Sequence, residues 1–260
     1  MDLTHARHAF ITGGASGIGL GIADALAARG IAVTLADIDQ PVLDEVLRQR
    51  GARHSGVRLD VRDRAQWAAA KQAAEAKFGP VDILVNNAGI GPDGQPLADM
   101  DAESFDRIVA INLTGVFNGV HAFGAALRAQ CRGHIVNTAS IAGLATGFPG
   151  LGGYAATKHA VVALSEVLRL EMAPQGVGVS VLCPGLVPTN LGQTTQKLGS
   201  RVRVALAQMG SDGLGTAEVA AHVLAAIAED RLYVITHPHR WSGVEPRLEA
   251  IREAFSARRS

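Results

Sequence analysis

Short apolar runs alternate with helical stretches along the whole chain, and this alternation constrains the fold more than any other feature. His8–Thr12 reads as a buried strand and breaks into Gly13-Gly14-Ala15-Ser16-Gly17-Ile18-Gly19. A helix follows through Ala28, with Gly30 placed to end it. Ile31–Ala36 is a second strand ending at Asp37, and Pro41 opens a helix continued by Val42–Gln49. Val57–Leu59 is a short third strand before Asp60. Asp63 caps a helix over Arg64–Phe78, which Gly79-Pro80 stops. Val81–Val85 is a fourth strand, followed by Asn86-Asn87-Ala88-Gly89.

Asp101 to Gln130 is helical and apolar on more than one side. His134–Thr138 is a fifth strand leading to Ser140. A helix from Tyr154 to about Met172 ends at Pro174 and Gly176, and Gly178–Cys183 is a sixth strand stopped by Pro184-Gly185. Thr189 to Gly213 is polar and weakly periodic, which marks residues 190–213 as a mobile substrate flap. Thr216 caps a helix to Glu229, Leu232–Thr236 is a last strand, and Val244, Leu248, Ile251 and Phe255 form one stripe of a terminal helix. Unbroken apolar strands alternating with helices imply an α/β protein whose parallel sheet is covered on both faces. No composition shift marks a second domain, so residues 1–260 are expected to form one.

Composition narrows the function. The 260 residues carry 24 basic and 24 acidic side chains, so no basic excess points to nucleic acid or an anionic membrane. No apolar run is expected to reach the roughly 18 residues that span a bilayer. Two cysteines cannot build a disulfide framework, which with the absence of a secretory signal points to the cytoplasm.

Several motifs carry chemistry. The glycines between Thr12 and Gly19 join a strand to a helix, the context a dinucleotide site needs. Gly13 permits the turn, Gly17 admits a pyrophosphate, and Gly19 lets helix pack on strand. The helix N-terminus offers amide donors to phosphates. Asp37 stands where a carboxylate would bind ribose hydroxyls and repel a 2′-phosphate; its neighbours Ile38, Asp39 and Gln40 supply no cation, which favours NAD over NADP. Asp37 as a simple loop cap is the competing reading. Asp60 is placed to accept from an adenine amino group. Asn87 shares that sheet edge, while Asn86 is read as tying strands together through backbone bonds. Asn112, inside an apolar helical run, is either an ordinary satisfied polar residue or the holder of a local distortion or a water. Tyr154 and Lys158 stand four apart on one helix face, so the ammonium can favour phenolate over phenol and fit Tyr154 for proton transfer. Ser140 can aim its hydroxyl at the same point. His237-Pro238-His239 lacks a third neighbouring metal ligand, and no metal is expected. Cys183 reads as an apolar filler, and His159 points away from Lys158.

Taken together, Thr12-Gly13-x-x-x-Gly17-Ile18-Gly19, Asn86-Asn87-Ala88-Gly89, Asn112, Ser140, Tyr154-x-x-x-Lys158 and Pro184-Gly185 resemble the short-chain dehydrogenase/reductase family, in its single-domain branch. The resemblance implies a Rossmann-type, doubly wound, seven-stranded parallel sheet. It implies catalytic roles for Ser140, Tyr154, Lys158 and Asn112. Tyr154 is the general acid/base, Ser140 holds the substrate oxygen, and Lys158 binds the nicotinamide ribose and lowers the tyrosine pKa. Asn112 keeps a water linking Lys158 to solvent. NAD contacts are expected at Gly13, Ser16, Gly17, Ile18, Gly19, Asp37, Asp60, Val61, Asn87 and Gly89, at Val187 and Thr189, and at Tyr154 and Lys158. One departure is an additional residue between Ser140 and Tyr154, assigned to the Thr146–Leu151 loop; Thr138 is the alternative hydroxyl.

The resulting expectation is an NAD-dependent enzyme interconverting a secondary alcohol and a ketone. Phe148, Leu151, Leu186 and the flap predict a bulky, uncharged, apolar or aromatic substrate. The chain also faintly resembles members that oxidise benzylic alcohols of lignin-type aryl compounds. The rivals are an NAD-binding sensor or scaffold without turnover, and a reductase using NADPH. A sugar epimerase or dehydratase would carry a further substrate domain. Apolar faces on the two long helices, with the family resemblance, imply a homotetramer.

Overall fold

In the computed structural model, which describes residues 1–199 and 213–256, seven strands form one parallel sheet. They are β1 (His8–Thr12), β2 (Ala32–Asp37), β3 (His54–Arg58), β4 (Ile83–Asn86), β5 (Gly133–Thr138), β6 (Val177–Cys183) and β7 (Tyr233–Ile235). Their spatial order is β3-β2-β1-β4-β5-β6-β7, with Phe10 beside both Thr34 and Leu84 in register. The chain winds outward from β1 in one direction and restarts at β4 in the other. The carboxyl ends of β1 and β4 therefore part at a topological switch point, where open α/β sheets bind ligands.

Side chains alternate between the sheet's faces. On one face, Ile11, Leu35 and Val85 pack with Ile22 and Leu26 of α1 (Gly17–Ala27), Leu43 of α2 (Gln40–Arg48), and Val223 and Ile227 of α8 (Thr216–Ala228). On the other, Phe10, Leu84 and Ile135 pack with Trp67 of α3 (Arg64–Phe78), Ile108 of α4 (Ala102–Val109), Phe123 of α5 (Gly115–Gln130) and Leu168 of α6 (Gly152–Met172). Each such side chain, fully buried, contributes about 1.5–3 kcal/mol. Gly21 lets α1 approach α8 closely, since a Cβ there would stand 2.8 Å from the Thr216 carbonyl oxygen. Two further helices are α7 (Leu191–Lys197) and α9 (Glu245–Ser256).

Several boundaries differ from the sequence reading. The third strand begins at His54, because the edge strand β3 is only half covered and lacks a continuous apolar signal. Gly215, not Thr216, caps α8: its N–H donates to the Glu218 carboxylate at 2.7 Å. The expected helix from Asp101 to Gln130 is broken by a wider π turn at Ala110–Thr114. As one stretch, Ala102–Gln130 is long and apolar enough to cross a membrane by length and composition, which corrects the expectation that no run qualifies; half of it is buried in the protein. The flap contains a helix, α7, in its first part, while residues 200–212 lie outside the described residues. The stripe on α9 leaves Leu248, Ile251 and Phe255 exposed in the single chain.

Gly119 of α5 faces the sheet. A Cβ there would collide with the Asn86 side-chain oxygen and lie 2.9 Å from the Trp67 ring. Gly119→Ala gains about 1 kcal/mol of helix propensity but overpacks the core at a cost of about 1–3 kcal/mol. Calorimetry is expected to show Tm lowered by about 2–6 °C; an unchanged or higher Tm would show that the helix can shift to make room.

Candidate active site

The switch-point cleft encloses about 810 Å³ and runs from the ends of β2 and β3, past the glycine turn, to the head of α6. Gly13 and Gly17 have φ of +60° and +55°, which side-chain-bearing residues rarely adopt. A Cβ on Gly13 would lie 3.0 Å from the Ala88 backbone, and one on Gly17 would lie 3.2 Å from Thr189. Gly19 lets α1 close onto the end of β1, as a Cβ there would collide with the Gly13 carbonyl oxygen and lie 2.6 Å from Asn87 Nδ2. Ser16 is extended and precedes α1, and with Ile18 it lines the cleft. The cradle thus presents backbone and little else, as close approach by a pyrophosphate requires.

Asp37 closes β2 and lines the cleft. It accepts from the N–H groups of Ala15 at 3.1 Å and Asp39 at 3.2 Å. It thus organises the loop and also faces the cleft. Burial raises its pKa against those hydrogen bonds, and no cation is among the groups acting on it. Asp60 also lines the cleft. Arg62 claims its carboxylate through bonds from Nε at 2.9 Å and Nη2 at 2.6 Å, and lowers its pKa. Its oxygens are thus already engaged, and Arg62, unnoticed in the sequence, lines the cleft beside Val61. Lys197 of α7 reaches Asp39 at 3.0 Å. Each of these two cations is engaged by a carboxylate other than Asp37.

Asn87 binds strand to strand: its side-chain amide donates to the Thr12 carbonyl at 3.1 Å, while its backbone N–H donates to the Thr12 hydroxyl at 2.9 Å. Asn86 ties β4 to β5 as expected, standing opposite Asn137 in the strand ladder, and its side-chain amide adds a bond to the Asn137 side chain at 2.9 Å. Asn112 sits within the π turn and is fully buried. It accepts from the Ile90 N–H at 2.8 Å and donates to the Ile90 carbonyl at 2.9 Å. The local distortion and a satisfied polar side chain coexist there. Gly89 separates Asn112 from Lys158; a Cβ on it would be 3.2 Å from Asn112 Oδ1 and 3.7 Å from Lys158 Nζ.

Ser140, Tyr154 and Lys158 converge on the cleft. Ser140 Oγ accepts from the Ala142 N–H at 3.2 Å. Gly143 brings this loop onto α6, where a Cβ would lie 2.6 Å from the Lys158 carbonyl oxygen. Lys158 is 4 % exposed, donates to the Thr138 carbonyl at 2.9 Å, and lies 5.6 Å from the centre of the Tyr154 ring. Desolvation pushes Lys158 down to about 8. Tyr154 corrects the expectation of an acidified phenol: burial raises its pKa, a hydrogen bond with Ser140 only partly opposing it. Cys183 is buried nearby with its thiol pushed up to about 12 by desolvation, which fits an inert filler. The Thr146–Leu151 loop holds two positive-φ glycines, Gly147 and Gly150, which accommodate its length. Val187 and Thr189 line the cleft after Pro184-Gly185. His237, instead of facing a metal, accepts from the Gly185 N–H at 3.0 Å. Among the described residues, no three His, Cys, Asp or Glu side chains gather as metal ligands.

A doubly wound sheet with a glycine cradle at its switch point defines a dinucleotide-binding α/β protein. The family described as short chain dehydrogenase matches residues 7–198, and the chain belongs to that family of oxidoreductases. A short chain dehydrogenase/reductase from Burkholderia phymatum, solved in complex with NAD, is 37 % identical with a TM-score of 0.90, over 98 % of this chain and 97 % of that one. The 2-(R)-hydroxypropyl-CoM dehydrogenase of Xanthobacter autotrophicus is 35 % identical over 88 % of this chain and 94 % of its own. The probable oxidoreductase EphD of Mycobacterium tuberculosis is 40 % identical over 71 % of this chain, but the match spans only 32 % of that longer protein.

The buried ammonium gives a test independent of turnover. Lys158 titrates near 8 in the fold against 10.5 ordinarily, so the unfolded chain binds its proton more tightly. Below pH 8 the fold bears the full cost of that charge, and stability returns as pH rises from 8 to 10.5. Lys158→Met is expected to stabilise the protein at pH 7, on the order of a few kcal/mol, with the gap narrowing across that window. Urea titrations at several pH values check it; a gap that is constant with pH contradicts the burial cost.

Proposed function

We propose that this protein is an NAD(H)-dependent oxidoreductase that interconverts a secondary alcohol and a ketone, with a bulky apolar or aromatic substrate, within one catalytic domain. The observation that carries the reading is the meeting of Ser140, Tyr154 and Lys158 in the same cleft as the glycine turn. Gly13 and Gly17 line the cleft in conformations that side-chain-bearing residues rarely adopt, and Gly19 lets α1 close onto the turn, so backbone is left to face a dinucleotide. Asp37 faces the cleft without a compensating cation, since Arg62 serves Asp60 and Lys197 serves Asp39. That leaves an anion where a 2′-phosphate would lie, and so favours NAD. The NAD complex of the Burkholderia relative agrees, and the Xanthobacter relative, by name, oxidises a secondary alcohol.

When bound, NAD supplies the acceptor for the carbinol hydrogen with its electron pair. The chain's own residues handle the proton. Tyr154 Oη takes it from the alcohol during oxidation, or gives it to the carbonyl oxygen during reduction. Ser140 Oγ holds that oxygen as its charge changes. Lys158, fixed by the Thr138 carbonyl, holds positive charge beside the phenol and would bind the cofactor ribose. Asn112 shapes the Ile90 backbone, and its part in the reaction would be to hold a water linking Lys158 to solvent. Because burial keeps the phenol protonated, reduction finds it ready, while oxidation must first ionise it. Oxidation is therefore expected to accelerate as pH rises above neutrality.

Exposed Phe105, Phe117, Val167 and Leu170 on α4, α5 and α6 support a homotetramer, and the low cysteine content supports a cytoplasmic setting. Light scattering is expected to give four chain masses; a monomer would contradict it. Tyr154→Phe is expected to lower kcat by about 100-fold or more, with NADH affinity within about threefold by fluorescence titration; substantial remaining turnover refutes the assignment. NADPH is expected to be about tenfold or more poorer than NADH in kcat/KM, and parity would overturn the cofactor choice.

A further inference from the structure

Helix α9 stands apart from the body of the fold. Among the described residues, none of its own is buried, and its main neighbour is the Pro238–Gly243 turn that leads into it. A helix of 12 residues is marginal in water by itself, so α9 needs a surface to cover it. What it offers is one apolar stripe. Leu248, Ile251 and Phe255 are 43, 42 and 81 % exposed, and Val244, already buried, roots the line in the fold. Their spacing is that of a heptad seam, with Val244 and Ile251 at d and Leu248 and Phe255 at a.

The side chains beside the stripe decide what fits it. Glu245 and Arg252 stand on one flank, at the e positions, and Arg247 and Ala254 on the other, at g. When two copies of such a helix pair antiparallel, e meets e. Glu245 then faces Arg252 of the second copy, twice by symmetry, while Leu248 packs against Ile251 across the twofold axis. A parallel pair sets e against g instead, and brings Arg252 to Arg247 of the second copy, like against like. The stripe is therefore complementary to itself in one direction only. The acidic side chains of α9, Glu245, Glu249 and Glu253, outweigh Arg247 and Arg252, so no positive excess suits it to an anionic lipid surface. The turn beneath it lines the cleft through Ser242 and Gly243, which roots this helix beside the cleft wall.

We propose that α9 is an interface with a second copy of this chain, its stripe paired antiparallel with the same stripe across a twofold axis. The contact is separate from the exposed faces of α4, α5 and α6, so the four-chain assembly proposed above has two kinds of twofold contact. Sedimentation velocity of the full chain, from nanomolar to micromolar concentration, tests it. Leu248→Asp is expected to halve the particle mass, since each pair loses two buried leucines and its dissociation constant rises by about a hundredfold or more. Glu245→Arg and Arg252→Glu are each expected to weaken pairing by about tenfold, because two opposite-charge contacts become like-charge ones. The double variant Glu245→Arg, Arg252→Glu is expected to restore it. These two positions are exposed, so the charge variants carry the test if Leu248→Asp fails to fold. Four chain masses falling to two support the pairing and the tetramer together. Two falling to one uphold the pairing and sink the tetramer. Four masses unchanged by every variant overturn the pairing and leave the tetramer standing. A wild-type monomer at every concentration, or a double reversal that restores nothing, also overturns the pairing.

Discussion

Thr12 and Asn87 hold together the edge on which the whole cleft depends. The ladder between β1 and β4 runs as far as Ile11 and Val85, and beyond it side chains hold the two strand ends together. The Thr12 hydroxyl accepts from the N–H groups of Asn87 and Ala88 at 2.9 and 3.0 Å, and Asn87 returns a bond to the Thr12 carbonyl. The same amide lies against Gly13 and Gly19. One short polar clasp thereby joins the strand ends, the glycine turn and the start of α1. Buried polar groups of this kind stabilise only when all partners are present, which makes the clasp specific as well as firm.

Opposing electrostatic demands meet at the head of α6. Burial penalises the Lys158 ammonium and the Tyr154 phenolate alike, because each is the charged form of its group. One carbonyl, from Thr138, anchors the ammonium. The site thus stores an unfavourable charge close to where an oxygen gains or loses a proton, and a partner that brings charge of either sign changes both equilibria.

Much of this was legible in the amino acids. Apolar runs located six of the seven strands to within a residue or two, because strands covered on both faces carry an uninterrupted signal. The edge strand His54–Arg58 did not, being half exposed. Tyr154, Lys158, Ser140 and the glycine turn were found because local spacing defines them. Arg62 was missed since its relation to the cleft is made by folding and by no local pattern. The direction of the Tyr154 shift was misjudged for a related reason: one turn of helix predicts proximity to an ammonium, while the depth at which both sit belongs to the tertiary structure. Gly89, Gly119 and Gly143 look like ordinary glycines in sequence, yet each marks a point where two elements nearly touch.

The wide turn around Asn112 has a bearing on how this chain can vary. A π turn carries one residue more than a regular helical turn, so α5 leaves it rotated by about 100° from the course α4 would otherwise dictate. That phase offset aims Phe123 and Leu127 at the sheet. Loss of one residue within Ala110–Thr114 could restore a regular helix and still misdirect everything downstream, whereas the glycine-bearing loop before α6 can lengthen or shorten without turning any helix. Length variation among descendants of this sequence should therefore collect in that loop and avoid the turn.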